Sequence, residues 1–288
     1  MLQRSVRVGV DVGARTLRAV WTTRRFGGKV AWRYAECRRS DECSPATVAP
    51  DLSRLLHPLR RLRATGSLTL CAPTSYVRLL TVQIPELKQL PNAVRDHLPS
   101  LLPFEVERAQ YEFRVRRQHR IDDQWECQLS MAACEAAPLQ QDLNALWDIG
   151  WTTRAVAPAA LALAQTARAL NVLGQDPAVL IEIAERRTTM ALVEAGEVVY
   201  ARDVALGIDH LTDALTARVS FGDSTVSLSR DEAAALIQDT GIPDPAGGES
   251  LGSRHLPVTT YMAMLQPILE QLVSEVRRTM TFGAHAAK

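Results

Sequence analysis

The chain has 288 residues, of which 47% are hydrophobic, and this composition indicates a globular protein with one large or two ordinary domains. Its 33 basic and 32 acidic residues leave a formal net charge of +1, which gives no support to a general nucleic-acid-binding role. No apolar run reaches the length of a membrane span, and the five cysteines form no C-x-x-C pair, so we expect a reduced, cytoplasmic protein without direct membrane insertion.

The first predicted elements surround an acid at the end of a strand. Alternating β-branched residues predict a three-stranded antiparallel meander over 6–12, 17–23 and 29–35, then a helix over 49–63 and a strand over 67–72. In the stretch VGVDVGARTLRAV, Asp11 and Gly13 stand where the first strand turns into the second. Two interpretations stay open: the acid caps a hairpin turn, or it holds Mg²⁺ while Gly13 lets backbone N–H groups approach a phosphate.

A different pattern follows, and we interpret it as an inserted α+β subdomain over 73–152. It has a predicted strand over 76–84, a helix over 87–102, strands over 110–117 and 125–134, and a helix over 138–149. A short strand over 153–156 and an Ala-rich helix over 157–172 then return the chain to the first domain. We therefore assign residues 1–72 and 153–175 to that first domain.

The chain next repeats its opening pattern. Strands predicted over 178–184, 188–194 and 197–203 form a second meander, in which Glu182-Ile183-Ala184 falls on Asp11-Val12-Gly13. Such a duplication predicts two similar domains whose acids face a shared cleft.

The rest of the second domain, assigned to 176–288, is mainly helical. We predict a helix over 208–219, a helix over 231–239 that begins with a Ser229–Glu232 capping box, a loop over 241–257 and a long helix over 261–282. Residues from about 216 to 260 are interpreted as a subdomain insertion.

Four stretches resemble the PilM family of type IV pilus assembly proteins and, more distantly, the cytoplasmic part of the GspL proteins of type II secretion. VGVDVGARTLRAV resembles the first phosphate motif of the family, and VRLLTVQIPELKQLPNAVRDHLPSLLPFEVERAQYEFRV resembles its signature insertion. VLIEIAERRTTMALVEAGEVVYARDVALGIDHLT resembles the second phosphate motif, with Arg202 and Gly207 in its Arg-x-x-x-x-Gly stretch. LEQLVSEVRRTMTFG resembles the late helix, with Glu275, Arg277 and Arg278.

The resemblance implies an α/β fold of the actin-like type, a duplicated ribonuclease H-like arrangement with an inserted subdomain. It implies a cytoplasmic scaffold, peripheral to the inner membrane, in a pilus or type II secretion platform. The implied partners are a PilN-like single-pass inner-membrane protein and other platform proteins. The short tail of the PilN-like protein is expected in the cleft between the first domain and the insertion. Candidate groove residues are Val94, Leu98, Leu101, Leu102 and Phe104, with an ordinary core role as the alternative.

The resemblance also implies a site for ATP and Mg²⁺. The candidate residues are Asp11, Gly13, Ala14, Arg15, Thr16, Arg18, Glu182 and Gly207, with Asp11 as the Mg²⁺ ligand. This sequence departs from the family pattern, because Glu182 and Ala184 replace an Asp and a Gly and Arg18 replaces a Lys. The family's final Gly-Gly element is also expected after the last helix and is not found before Lys288. We therefore predict a degenerate nucleotide site.

Two alternatives to a scaffold remain. One is an active Mg-ATP-binding ATPase or kinase relative, for which Asp203 and Asp209 are the candidate acids. The other is an actin-type filament-forming protein. No residue stands out as catalytic, and we favour the scaffold over an enzyme.

Overall fold

The computed structural model describes residues 6–24, 30–41, 44–62, 66–72, 74–221, 224–244, 250–252 and 255–286. Lys29, where the third predicted strand begins, and Arg63, where the first predicted helix ends, lie outside the described residues. The strands are β1 (Val6–Val12), β2 (Thr16–Arg24), β3 (Val30–Arg38), β4 (Gly66–Cys71), β5 (Ser75–Ile84), β6 (Ala109–Ile121), β7 (Gln124–Glu135), β8 (Thr153–Ala157), β9 (Ala178–Ile183), β10 (Thr188–Glu194), β11 (Glu197–Val204), β12 (Val219–Phe221), β13 (Ser224–Val226), β14 (Ser250–Leu251) and β15 (Leu256–Pro257). The α-helices are α1 (Val48–Leu56), α2 (Leu90–Leu101), α3 (Ala136–Asp148), α4 (Ala159–Ala169), α5 (Ile208–Leu215), α6 (Arg230–Thr240) and α7 (Val258–Ala286).

The first sheet has five strands in the order β3-β2-β1-β4-β8. Its first three strands form the predicted antiparallel meander, and β4 and β8 extend it in parallel. Val6, Val8 and Val10 alternate along β1 and are each 2% exposed. These valines lie on one face of the sheet and pack in the same hydrophobic cluster as Leu52 and Leu56 from the apolar side of α1. This burial is the physical reason for the alternating pattern in the sequence.

The second sheet has six strands in the order β6-β7-β5-β11-β10-β9. Strands β9, β10 and β11 form the second antiparallel meander. The three strands of the segment over 73–152 lie in the same sheet, because β5 pairs with β11 at Arg78–Tyr200 and Val77–Ala201. The inserted segment is therefore joined to the second meander through its backbone, a relation that the sequence did not predict.

The segment over 73–152 also has an apolar core of its own. Helix α2 covers the sheet with Val94 and Leu98, which are both fully buried, and they pack in one cluster with Leu129 and Met131 of β7. The helix tolerates Pro91 in its first turn, where the missing N–H has no intrahelical acceptor, and it ends at Leu101 soon after Pro99.

The chain after β11 is mainly helical, and the structure corrects the sequence prediction at the end of α5 and at the short strands β14 and β15 within the predicted loop. The predicted helix over 208–219 ends at Leu215, since the chain turns there through a Thr216 N–H bond to Asp213 O and the β-branched Val219 begins a short strand. Helix α6 begins as predicted, because Ser229 Oγ accepts from Glu232 N and the Glu232 carboxylate accepts from Ser229 N. Helix α7 packs against β10 and β11.

Candidate functional site

The two meanders turn in the same way. Gly13 N donates to Thr16 O over 3.1 Å in the first turn, and Ala184 N donates to Arg187 O over 2.8 Å in the second. Asp11 and Glu182 each occupy the penultimate position of the strand before the turn, opposite Arg18 and Thr189. The duplication inferred from the sequence is thus confirmed at the level of individual hydrogen bonds.

A cleft of about 360 Å³ lies between these two turns. Of the predicted nucleotide-site residues, the structure brings together in its lining Asp11, Gly13, Ala14, Arg18 and Glu182. The lining also includes residues that were not predicted for the site, namely Thr74, Tyr76, Glu185, Arg186 and Arg187. Asp203, an acid considered only for an enzyme, lies in the same wall.

The acids of this cleft are partly desolvated. Burial raises the pKa of Glu182, and the negative charge of Asp11 raises it further. Burial also raises the pKa of Asp203, against the effect of a 2.6 Å hydrogen bond from the Thr189 hydroxyl. Nearby on α3, burial raises the pKa of Asp142 to about 7. Arg187 lies near all three acids and opposes each of these shifts.

The donors of the first turn are directed at a carboxylate of the second turn. Arg15 N donates to Glu185 Oε2 over 2.6 Å, and the Thr16 hydroxyl donates to Glu185 Oε1 over 2.8 Å. In return, the Arg15 guanidinium lies 2.6 Å from Asp209 Oδ1 at the start of α5. Arg15 and Thr16, both predicted for nucleotide binding, thus connect the two halves of the chain.

Gly207 lies behind the second turn and not in the cleft lining. A Cβ at this position would lie 2.5 Å from Ala184 O and 2.6 Å from Glu185 O. The absence of a side chain lets Ile208 N and Asp209 N donate to those same two carbonyls over 3.0 and 2.8 Å. Gly207 therefore positions the N-terminus of α5 against the turn.

Groups predicted for phosphate and Mg²⁺ binding already have partners within the chain. A phosphate needs free N–H donors on the turns, yet the Arg15 N–H and the Thr16 hydroxyl donate to Glu185. A Mg²⁺ ion binds carboxylate oxygens, and one oxygen of Asp11, Oδ2, lies 3.5 Å from Arg18 Nη1 in a partly exposed ion pair. Among the described residues, no group of three or more His, Cys, Asp or Glu side chains could hold a metal ion.

A larger cavity, of about 870 Å³, lies between the first sheet and the inserted segment. We call it the groove, and define it by its lining from β6, β7, α3 and β8, which includes Tyr111, Ala133, Leu139, Ala155 and Val156. Among the described strands, β6 and β8 each pair on one side only, so the groove lies between two sheet edges. Charged residues also line it, namely Glu107, Arg108, Glu112, Glu135 and Arg154.

The residues predicted for a partner groove lie elsewhere. Val94 and Leu98 are fully buried and Leu102 is 7% exposed, all within the core of the inserted segment. Leu101 and Phe104 pack against that core, and Phe104 makes an edge contact with Tyr76. None of the five lines the groove. Their role in partner binding stays a prediction.

No protein-family model matches the chain, and no curated protein matches it. Solved structures do match. The "PilM-PilN type IV pilus biogenesis complex" is 20% identical, with a TM-score of 0.65, over 96% of this chain and 76% of that chain. This chain has an actin-like fold. The actin-like α/β fold predicted from the resemblance to PilM is thereby confirmed, and the inserted subdomain stays a prediction.

Two further structures extend the comparison. MreB5 of Spiroplasma citri bound to ADP is 9% identical, with a TM-score of 0.53, over 96% of this chain and 79% of that chain. The cytoplasmic domain of EpsL, an inner membrane component of the type II secretion system of Vibrio cholerae, is 14% identical over 74% of this chain and 75% of that chain. Its TM-score of 0.42 is too low to support a conclusion. In the part of this chain that the structure describes, no helix combines the length and apolarity needed to cross a membrane.

Proposed function

We propose that this protein is an actin-like scaffold at the cytoplasmic face of a pilus or secretion platform in the inner membrane. Its partner is a PilN-like single-pass membrane protein, whose short cytoplasmic tail binds in the groove. The observation that carries this proposal is the groove itself, an 870 Å³ cavity between two sheet edges in a chain with the fold of PilM.

The groove has the chemistry that an extended peptide requires. The edges of β6 and β8 offer backbone N–H and C=O groups to an added strand. Several lining residues from β7 and α3 are alanines, namely Ala132, Ala133, Ala136 and Ala137, and their small side chains leave room for alternate side chains of the peptide. The charged lining residues supply contacts for polar positions. Main-chain bonds would give affinity, and this lining would give specificity.

The scaffold in this proposal needs no nucleotide cycle. The cleft residues Arg15, Thr16 and Asp11 are already paired with Glu185 and Arg18, which supports a degenerate ATP and Mg²⁺ site. Protein binding in the groove is then the activity of the molecule, and the actin-like fold acts as its support.

The test is a titration of the full chain with a peptide copy of the cytoplasmic tail of the PilN-like protein from the same organism, followed by fluorescence anisotropy. We expect wild type to bind, and Val156→Asp in β8 to bind at least tenfold more weakly. Val30→Asp is the matched control, because Val30 is an exposed valine at the opposite edge of the same sheet. Binding that is lost equally in both variants, or no binding by wild type, would overturn the proposal.

A further inference from the structure

The turn between β1 and β2 presents hydrogen-bond donors, as an anion-binding turn does. The Glu185 carboxylate accepts from two of these donors. Arg15 N and the Thr16 hydroxyl bind different oxygens of Glu185, at 2.6 and 2.8 Å. These lengths are typical of charge-assisted hydrogen bonds to an ionised acceptor. Glu185 is distant in sequence, so only the folded chain brings it to this turn.

Gly13 allows the turn to close. A Cβ on Gly13 would lie 2.5 Å from Thr16 O, which is closer than side chains come to a backbone oxygen, and 3.7 Å from Glu185 Oε2. The glycine that usually admits a phosphate to a turn here permits a tight turn with a carboxylate against it.

The metal ion that accompanies a phosphate in a nucleotide site also has a positively charged counterpart within the chain. Arg18 Nη1 lies 3.5 Å from Asp11 Oδ2, the acid that the sequence predicts for Mg²⁺. The negative charge of a phosphate is thus matched by Glu185, and the positive charge of a metal ion is matched by Arg18.

The contact between the two halves is reciprocal. Glu185 of the second turn reaches the backbone of the first turn, and Arg15 of the first turn reaches Asp209 in the second half, at 2.6 Å. Asp209 is only 7% exposed, and Arg186 Nε and Arg230 Nη2 lie 3.4 and 3.5 Å from its Oδ2 atom. Opening of the cleft would break these contacts between Arg15 and Asp209 and between the first turn and Glu185.

We infer that Glu185 is the resident anion of the first turn, and that its carboxylate joins the two halves of the cleft in the place of a phosphate group. This assignment goes beyond the proposed scaffold function and does not rest on the groove. The peptide titration with Val156→Asp and the experiment below can therefore fail independently.

The test compares the wild-type protein with the Glu185→Ala variant. The two ligands used as probes are inorganic pyrophosphate with Mg²⁺ and Mg-ATP. Removal of the carboxylate frees the Arg15 N–H and the Thr16 hydroxyl. We expect wild type to show no thermal stabilisation by millimolar pyrophosphate, and Glu185→Ala to bind pyrophosphate at least tenfold more tightly than wild type. Hydrogen exchange of a peptide spanning residues 13–17 should be faster in the variant, and pyrophosphate should slow it again.

Glu197→Ala is the matched control, since Glu197 forms an exposed ion pair with Arg168 at another turn of the second meander. It should leave pyrophosphate binding and exchange at residues 13–17 unchanged. Glu185→Gln is the second variant if Glu185→Ala does not fold, because it keeps the shape and removes the charge. Pyrophosphate or Mg-ATP binding to wild type as tight as to the folded Glu185 variant would overturn the assignment, as would no gain in that variant.

Discussion

Arg202 on β11 and Glu275 on α7 form an ion pair in which Arg202 Nη2 lies 2.6 Å from Glu275 Oε2. The Arg202 and Glu275 side chains are only 19% and 11% exposed. Arg202 Nε also donates to the Thr279 hydroxyl over 3.1 Å, one turn further along the same helix. Arg202 and Glu275, which belong to two separate stretches of the sequence, therefore hold α7 against the second meander.

Replacement of Arg202 by alanine should destabilise the protein strongly. The variant removes one of the two cations that contact the nearly buried carboxylate of Glu275, and loss of a hydrogen-bond partner by such a buried charged group costs about 1–3 kcal/mol or more. Urea unfolding followed by circular dichroism measures the loss. Arg278→Ala is the control: Arg278 also contacts Glu275, at 2.8 Å, but its side chain is 62% exposed, so its loss should cost about 1 kcal/mol or less. Equal losses in the two variants would show that burial does not decide the strength of this pair.

A methyl group at Gly207 should displace α5 from the second turn. The added Cβ would meet the carbonyl oxygens of Ala184 and Glu185 at 2.5 and 2.6 Å, and backbone atoms cannot rotate away as a side chain can. We expect Gly207→Ala to cost about 1–3 kcal/mol, as overpacking does in well-packed interiors. Gly174→Ala serves as the control, because no atom closer than 4.0 Å faces its Cβ position. Matching unfolding midpoints for both variants would contradict this account of Gly207.

Asp142 should make stability depend on pH in the range below neutrality. Burial raises the pKa of its carboxyl from 3.8 to about 7, so the folded state holds the proton more tightly than the unfolded state. The contribution of this group to stability is therefore fully present below about pH 4 and is lost as the pH rises to about 7.

The variant Asp142→Asn removes this titration. Relative to wild type, it should gain stability between pH 4 and pH 7, by on the order of 1 kcal/mol or more, and then stay level. Unfolding midpoints at a series of pH values give the difference. Asp148→Asn on the same helix is the control, since Asp148 is exposed. A difference curve for Asp142→Asn that is flat over this range would contradict a raised pKa of the partly buried Asp142 carboxyl in the folded protein.

Regular elements were predictable where a repeating pattern has one physical cause. The bounds of β1 and β10 agree with the prediction: burial alternates along β1, whereas β10 is a short, mostly apolar run whose first six residues are all buried. The start of α6 was also predictable, because its Ser229–Glu232 capping box is local. The end of α5 was not, since Thr216, Ala217 and Arg218 do not interrupt a helical pattern strongly and the short strand after them depends on tertiary pairing.

Residues of the candidate site were predictable only where the repeated strand–turn–strand pattern marks equivalent positions in the two meanders. Asp11 and Glu182 could be matched because each precedes a turn between two strands. Glu185 carries no such signal, because its counterpart in the first turn is Ala14 and its hydrogen bonds reach residues 169 and 170 positions away. The residues that line the groove were missed for a similar reason. A sequence shows that β6 and β8 are strands, but the order of strands in the sheets decides that both are edges.

The six-stranded sheet connects the groove to the second meander through backbone hydrogen bonds. Strand β6 borders the groove, and an unbroken series of hydrogen-bonded strands runs from it to β9 in the second meander. A pull on a peptide bound at β6 would load these strands in series. The shortest ladder in the series is that between β5 and β11, with the two residue pairs Arg78–Tyr200 and Val77–Ala201. The Arg78 guanidinium strengthens this joint, because it lies over the Tyr200 ring at 4.0 Å and donates to Ala201 O, so the load would concentrate on one arginine.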